Sequence, residues 1–71
     1  SNVVEVAYEI TIRNHKTAPV SVELRESIGG GWRMLQSSQP ATKLDAFTAG
    51  FSVPVAADGT AVVKYRVRVT A

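Results

Sequence analysis

Three basic side chains recur at alternate positions near the C-terminus: Lys64, Arg66 and Arg68. On an extended strand alternate residues share a face, and at about 3.3 Å per residue these three span roughly 13 Å. Such a stripe suits an anionic polymer: nucleic acid, acidic polysaccharide or lipid headgroups. The competing reading is a solvated strand face. If the segment carrying Glu23 is an antiparallel neighbour, Glu23 falls opposite Arg66 with Arg25 near Lys64, and exposed pairs of that kind contribute only about 0.2–1 kcal/mol each. Three charges without interleaved exposed aromatics make a poor nucleic-acid platform. The formal net charge of +2 is likewise far from a dense basic patch. No specific nucleic acid is expected.

Trp32 follows Gly29-Gly30-Gly31, where a flexible backbone could present the indole to a sugar ring. A short chain with five aromatic residues has more use for its sole tryptophan in the core. His15 is the only histidine, and it sits between Asn14 and Lys16 in a turn-forming stretch. A general base needs a nucleophile within hydrogen-bond reach and a group to orient it, and no motif links His15 to Ser37 and Ser38. Lys43 and Asp45, read with Ser38 as a serine–lysine centre, lack the glycine-rich elbow or helix N-terminus that would form an oxyanion hole. They read instead as a loop ion pair or an Asx turn.

Asp58-Gly59 lacks the alternating carboxylates of a calcium loop. Glu5 and Glu9 lie four residues apart on one strand face, roughly 13 Å, too far to share a small ion. With no cysteine and one histidine, a structural zinc site cannot be assembled. No catalytic, metal-ligating or cofactor-binding residue is expected, and the chain reads as non-enzymatic.

The elements that position these residues are strands. Val4, Val6, Tyr8, Ile10 and Ile12 alternate with Glu5, Ala7, Glu9, Thr11 and Arg13, the period-two pattern of a half-buried strand. Asn14 to Pro19 stops it. Val20, Val22 and Leu24 define a second strand facing inward, with Ser21, Glu23 and Arg25 outward. The glycine triplet breaks the pattern, and Trp32–Gln36 forms a short third strand with Trp32 and Met34 inward. Leu35 falls on its opposite face, against the pattern. Lys43–Asp45 suggests a short edge strand.

Ala49, Phe51, Val53 and Val55 point inward on the next strand, where Pro54 removes a ladder donor and predicts an open edge. Ala56-Ala57-Asp58-Gly59-Thr60 is the strongest turn signal, joining two alternating runs through Asp-Gly. It leads into a last strand with Ala61, Val63, Tyr65, Val67 and Val69 inward. No apolar run approaches the roughly 18 residues of a membrane helix, so no membrane insertion is expected. Short strands at close intervals predict an all-β immunoglobulin-like sandwich, a Greek key of six to seven strands, with a small barrel as the alternative.

At 71 residues the chain makes one domain with a limited core. Ser1-Asn2 reads as a tag remnant and residues 3–71 as one domain excised from a longer chain.

Several pieces together resemble one family. They are Tyr8-Glu9-Ile10-Thr11-Ile12-Arg13-Asn14-His15-Lys16, Pro19-Val20-Ser21-Val22, Trp32 before Ser37-Ser38, Lys43 with Asp45-Ala46, Phe51-Ser52-Val53-Pro54-Val55, Asp58-Gly59 and Tyr65-Arg66-Val67-Arg68-Val69. This is similar to the C-terminal β-rich domain of the bacterial mucoidy-inhibitor-like proteins. Arg-Asn-His-Lys followed by Pro-Val is the most specific piece, and the glycine triplet departs from the proline-containing turn expected before the tryptophan. The resemblance implies a bacterial parent that is often exported, hence an extracytoplasmic setting, and implies no reaction. The expected role is a structural or interaction module at the end of a larger protein. It would pack on other domains of its parent or self-associate through an edge strand held by Trp32 or Pro54. The alternative is a module binding an anionic or glycan polymer through Lys64, Arg66 and Arg68 or an exposed Trp32.

Overall fold

A computed structural model describes residues 2–70 of the chain. Ser1, half of the expected tag remnant, and Ala71, the last residue of the expected domain, lie outside the described residues. Six strands follow in order: β1 Val3–Arg13, β2 Val20–Ser27, β3 Trp32–Ser37, β4 Ala41–Asp45, β5 Thr48–Val55 and β6 Thr60–Thr70. They form two antiparallel sheets of three strands, β1-β6-β3 and β2-β5-β4. No helix occurs among the described residues.

The two central strands, β5 and β6, supply most of the core. Ala49, Phe51, Val53 and Val55 of β5 meet Val63, Tyr65 and Val67 of β6, with Ile28 and Trp32 completing the buried apolar set. Each fully buried valine or phenylalanine is worth roughly 1.5–3 kcal/mol relative to exposure. Inward alternation on these strands follows the sequence pattern residue by residue. Ile28, just past β2, has no alternating neighbours to mark it; it is fixed by its N–H donating to the carbonyl of Phe47, 2.7 Å.

The expected Asp-Gly turn is present, and it joins strands of different sheets rather than neighbours in one. The N–H of Gly59 donates to the carbonyl of Ala56 at 2.9 Å, and Asp58 is the one non-glycine described residue with positive φ, 52°. A two-residue hairpin of type I′ needs two positive φ angles, and type II′ needs one at the first central position. Ala57 and Asp58 meet neither condition, so the chain leaves the β5 sheet and enters the other one.

Asn14 fastens this crossover. It is buried, and its Nδ2 donates to the carbonyls of Ala18, Ala56 and Val55 at 2.9, 3.1 and 3.4 Å. Its Oδ1 accepts from the N–H of Lys16 at 2.9 Å, and its own N–H donates to Gly59. The β1–β2 loop and the β5–β6 turn are thereby one hydrogen-bonded unit.

Pro54 does not mark an edge strand, because β5 lies between β2 and β4. Pairing with β4 nevertheless ends at Ala41↔Phe51, so beside Pro54 only β2 is paired, through Ser21. The missing donor is tolerated where the second neighbour has run out. Leu35 is explained by a register shift between Met34 and Gln36, which leaves it outside the ladder and exposed.

Gly31 is the one glycine of the triplet whose geometry is demanding. Its φ is +71°, and a Cβ there would lie 2.8 Å from the carbonyl oxygen of Thr70. The tight approach sets Trp32 opposite Val69 at the start of β3.

Candidate functional site

The basic stripe lies on the outer face of the central strand β6, flanked on both sides. The register sets Arg68 between Glu5 of β1 and Arg33 of β3, Arg66 between Ala7 and Gln36, and Lys64 beside Glu9. Arg68 and Glu5 are 3.3 Å apart, the one ion pair among the described residues, with both side chains nearly half exposed. An ion pair this open contributes little to stability.

Glu23 is not the partner of Arg66. It pairs with Ser52 in the other sheet, and Arg25 faces Gly50. The strand order separates β2 from β6, so the acidic counterweight comes from Glu5 and Glu9 instead, and only along the β1 side. Toward β3 the field is reinforced by Arg33. Sequence spacing could not reveal Arg33, because its place beside Arg68 depends on which strand β6 chooses as neighbour.

Next to the stripe an open groove of about 540 Å³ is lined by Tyr8, Glu9, Ser37, Ser38, Lys64 and Arg66. Ser38 ties the end of β3 to β6: its N–H donates to the carbonyl of Lys64, and its hydroxyl accepts the N–H of Lys64, each at 2.9 Å. The hydroxyl of Ser37 donates to the carbonyl of Gln39. Both serines therefore close a turn, and His15 is exposed in a separate loop. Lys43 and Asp45 also part company. The Lys43 ammonium lies 4.9 Å from the centre of the Trp32 ring, a cation–π contact, while Asp45 accepts the N–H of Phe47 at 2.8 Å as an Asx turn. That hydrogen bond, with a further one from Thr48, holds the Asp45 carboxyl below its ordinary range. No three His, Asp or Glu side chains cluster as metal ligands among the described residues.

Trp32 is 6% exposed, which overturns its role as an open stacking platform. The core claims it, and Lys43 covers it from β4. Its indole Nε1 is buried without a hydrogen-bond partner.

A feature that alternation alone concealed lies at the opposite edge. Val4 and Tyr8 belong to the inward row of β1, yet they are 53% and 46% exposed. Tyr8 stacks on Tyr65, ring centres 5.1 Å apart, and Tyr65 in turn tilts against Phe51 at 5.2 Å. The Tyr65 hydroxyl donates to Glu26 at 2.9 Å. Burial first, and then the adjacent Glu26 carboxylate, push the Tyr65 pKa well above the usual tyrosine range. The rest of the row, Val6, Ile10 and Ile12, is half-buried against the core. β1 is an edge strand paired with β6 over all eleven residues, with no bulge and no proline.

No family model, curated protein or solved structure matches this chain.

Proposed function

We propose that this chain is a non-catalytic, immunoglobulin-like interaction module that docks a partner along β1. The observation carrying this reading is the unbulged eleven-residue edge whose inward row leaves Val4 and Tyr8 about half exposed. A sheet edge with free backbone donors and acceptors beside a partly exposed apolar row accepts an added strand. The strand order supports the immunoglobulin-like description: β2-β5-β4 and β1-β6-β3 correspond to the B-E-D and G-F-C neighbours of that architecture, with β1 taking the place of the last strand. On the resemblance to the mucoidy-inhibitor-like proteins, the module sits at the C-terminal end of a larger, exported bacterial protein, and other domains of that parent are natural partners.

Amide exchange at a concentration where the chain is monomeric tests the docking edge. Every second β1 amide, those facing away from β6, should exchange orders of magnitude faster than the β6 amides. Uniform protection along β1 in the monomer would remove the reading.

A second reading has its own observation. Arg33 extends the stripe of Lys64, Arg66 and Arg68 on the side away from Glu5 and Glu9, and the adjoining groove exposes Tyr8. This surface suits an acidic polysaccharide. Retention on heparin that falls steeply with salt, and is lost in Arg33→Glu/Arg66→Glu, is the expected result; elution at low salt regardless of these residues would exclude it.

A further inference from the structure

We propose that the strand docking on β1 is β1 of a second copy of this chain, antiparallel, about a two-fold axis through Tyr8. This rests on the reading of β1 as a docking edge and commits it to an occupant and a register. The two sheets have four edges, β1, β3, β2 and β4. β3 carries a register shift between Met34 and Gln36, and β4 carries one between Lys43 and Asp45 and is five residues long. Bulges and short length are the usual protections against strand addition. Of the two regular edges, β2 is eight residues long and its inward apolar residues are half-buried, whereas β1 has eleven residues and the exposed Val4 and Tyr8.

Symmetry restricts how two β1 strands can meet. A two-fold axis perpendicular to the sheet keeps both inward rows on one face, which requires the axis to pass through a residue rather than between residues. Five centres are worth comparing. An axis at Val6 or Ile10 pairs only residues 3–9 or 7–13, seven of the eleven. An axis at Ala7 sets Glu5 directly opposite Glu9, twice. An axis at Glu9 sets that glutamate opposite itself. Like charges directly opposite are destabilising.

An axis at Tyr8, the midpoint of Val3–Arg13, pairs all eleven residues. It places Glu5 opposite Thr11, Ala7 opposite Glu9 and Val3 opposite Arg13, with no acidic pair face to face. Arg13 then lies diagonal to Glu5, within reach of a long side chain. On the inward face the same register gives Val4 with Ile12, Val6 with Ile10, and Tyr8 with Tyr8. The two exposed residues thus meet apolar partners. Pairing length and charge together select this centre, which also gives both exposed residues apolar partners, and the product is a continuous six-stranded sheet.

The chain contains no cysteine, so single introduced cysteines report the register cleanly. Light scattering across a concentration series should show a monomer–dimer equilibrium. Under mild oxidation Tyr8→Cys should cross-link faster than Ala7→Cys, Glu9→Cys or the outward control Val62→Cys. A mixture of Ala7→Cys with Glu9→Cys, which retains Tyr8 and its stack, should form the heterodimer faster than either homodimer. Charge provides an independent lever: Ala7→Glu, facing Glu9 of the other copy twice, should weaken the dimer about tenfold, and Ala7→Lys should strengthen it by a similar factor.

A strict monomer at millimolar concentration with open β1 amides overturns the second copy as occupant and leaves the docking edge standing. A strict monomer with uniformly protected β1 amides overturns both. Fastest cross-linking by Ala7→Cys or Glu9→Cys alone, or equal rates at Tyr8 and Val62, overturns the proposed pairing.

Discussion

Val4 and Trp32 occupy the same cross-strand row, both opposite Val69 of β6, yet Val4 is 53% exposed and Trp32 is 6% exposed. The next rows repeat the contrast more weakly: Val67 is buried between half-buried Val6 and Met34, and Tyr65 is buried beside the exposed Tyr8. One long side of the molecule is closed. There β3 and β4 lie across from each other, Lys43 reaches over the Trp32 ring, and both edges are bulged. The other side carries β1 and is open along an unbroken ladder. Small domains have little surface to spare for burial, and this one has placed its single tryptophan on the side that needs no partner. What distinguishes the two sides is the presence of a covering side chain, since both rows are apolar.

The sharpest way to break that contrast is to remove the cover. Trp32→Ala should destabilise the fold by about 3–5 kcal/mol, a large share of the stability of a domain this size, as read by denaturant unfolding. Val4→Ala, in the same row, should cost less than about 1 kcal/mol in the monomer, because half of that side chain is already in water. Equal costs at the two positions would show that the row is uniformly packed.

Period-two alternation made the strands legible, and it was most accurate where a strand lies at the centre of its sheet: Phe51, Val53, Val55, Val63, Tyr65 and Val67 are all buried as the pattern implies. The pattern gives a face and no information about what covers it, so Val4 and Tyr8 read as core and are not. The basic stripe was legible as a stripe for the same reason. Its counter-charges were not, because Glu5, Glu9 and Arg33 become neighbours only through the strand order β1-β6-β3, which depends on a turn changing sheets. The turn at Asp58-Gly59 was legible from its residues, but its change of sheet was not, because the side chain that holds Val55 and Ala56 there is the distant Asn14.

Asn14→Ala tests that influence and should have the next largest effect. Three carbonyls lose their side-chain donor and the Lys16 N–H loses its acceptor, a cost of about 1–3 kcal/mol for partly buried groups. The loss should be accompanied by faster amide exchange in residues 14–19 and 56–59 together, with the Trp32 side unaffected. Exchange that quickens in only one of the two segments would contradict their coupling.

Tyr65 links the two sheets, stacked on exposed Tyr8 of β1 and bonded to Glu26 of β2. Tyr65→Phe keeps the ring and removes the hydroxyl, so the expected cost is about 1–1.5 kcal/mol near neutral pH. The pH dependence has a definite sign. Because the folded-state pKa is raised, the unfolded chain loses the Tyr65 proton first as pH rises past about 10. The folded state then binds more protons than the unfolded state, and stability falls with rising pH. Below that range the contribution is fully present. The phenylalanine variant should show a flatter alkaline limb in a stability–pH series, and an unchanged slope would mean that Tyr65 titrates normally.

The smallest effect is expected on the open side, at the ion pair. Glu5→Gln removes the carboxylate that holds Arg68, in a pair nearly half exposed on both sides, and should change stability by only about 0.2–1 kcal/mol. Its consequences for binding divide the two surfaces of β1. On the outer face Arg68 is left beside Arg33 with no counter-charge, so retention on heparin should increase if that face meets polyanions. At the sheet edge the same residue faces Thr11 of the second copy in the Tyr8-centred register, and a neutral amide there leaves no like charge and costs only its diagonal attraction to Arg13. A dimer constant that shifts less than threefold, alongside stronger heparin retention, would separate the outer face from the edge. A large drop in dimer affinity would instead place Glu5 directly opposite a basic residue, as in the Glu9-centred register where it meets Arg13, and would move the axis by one residue.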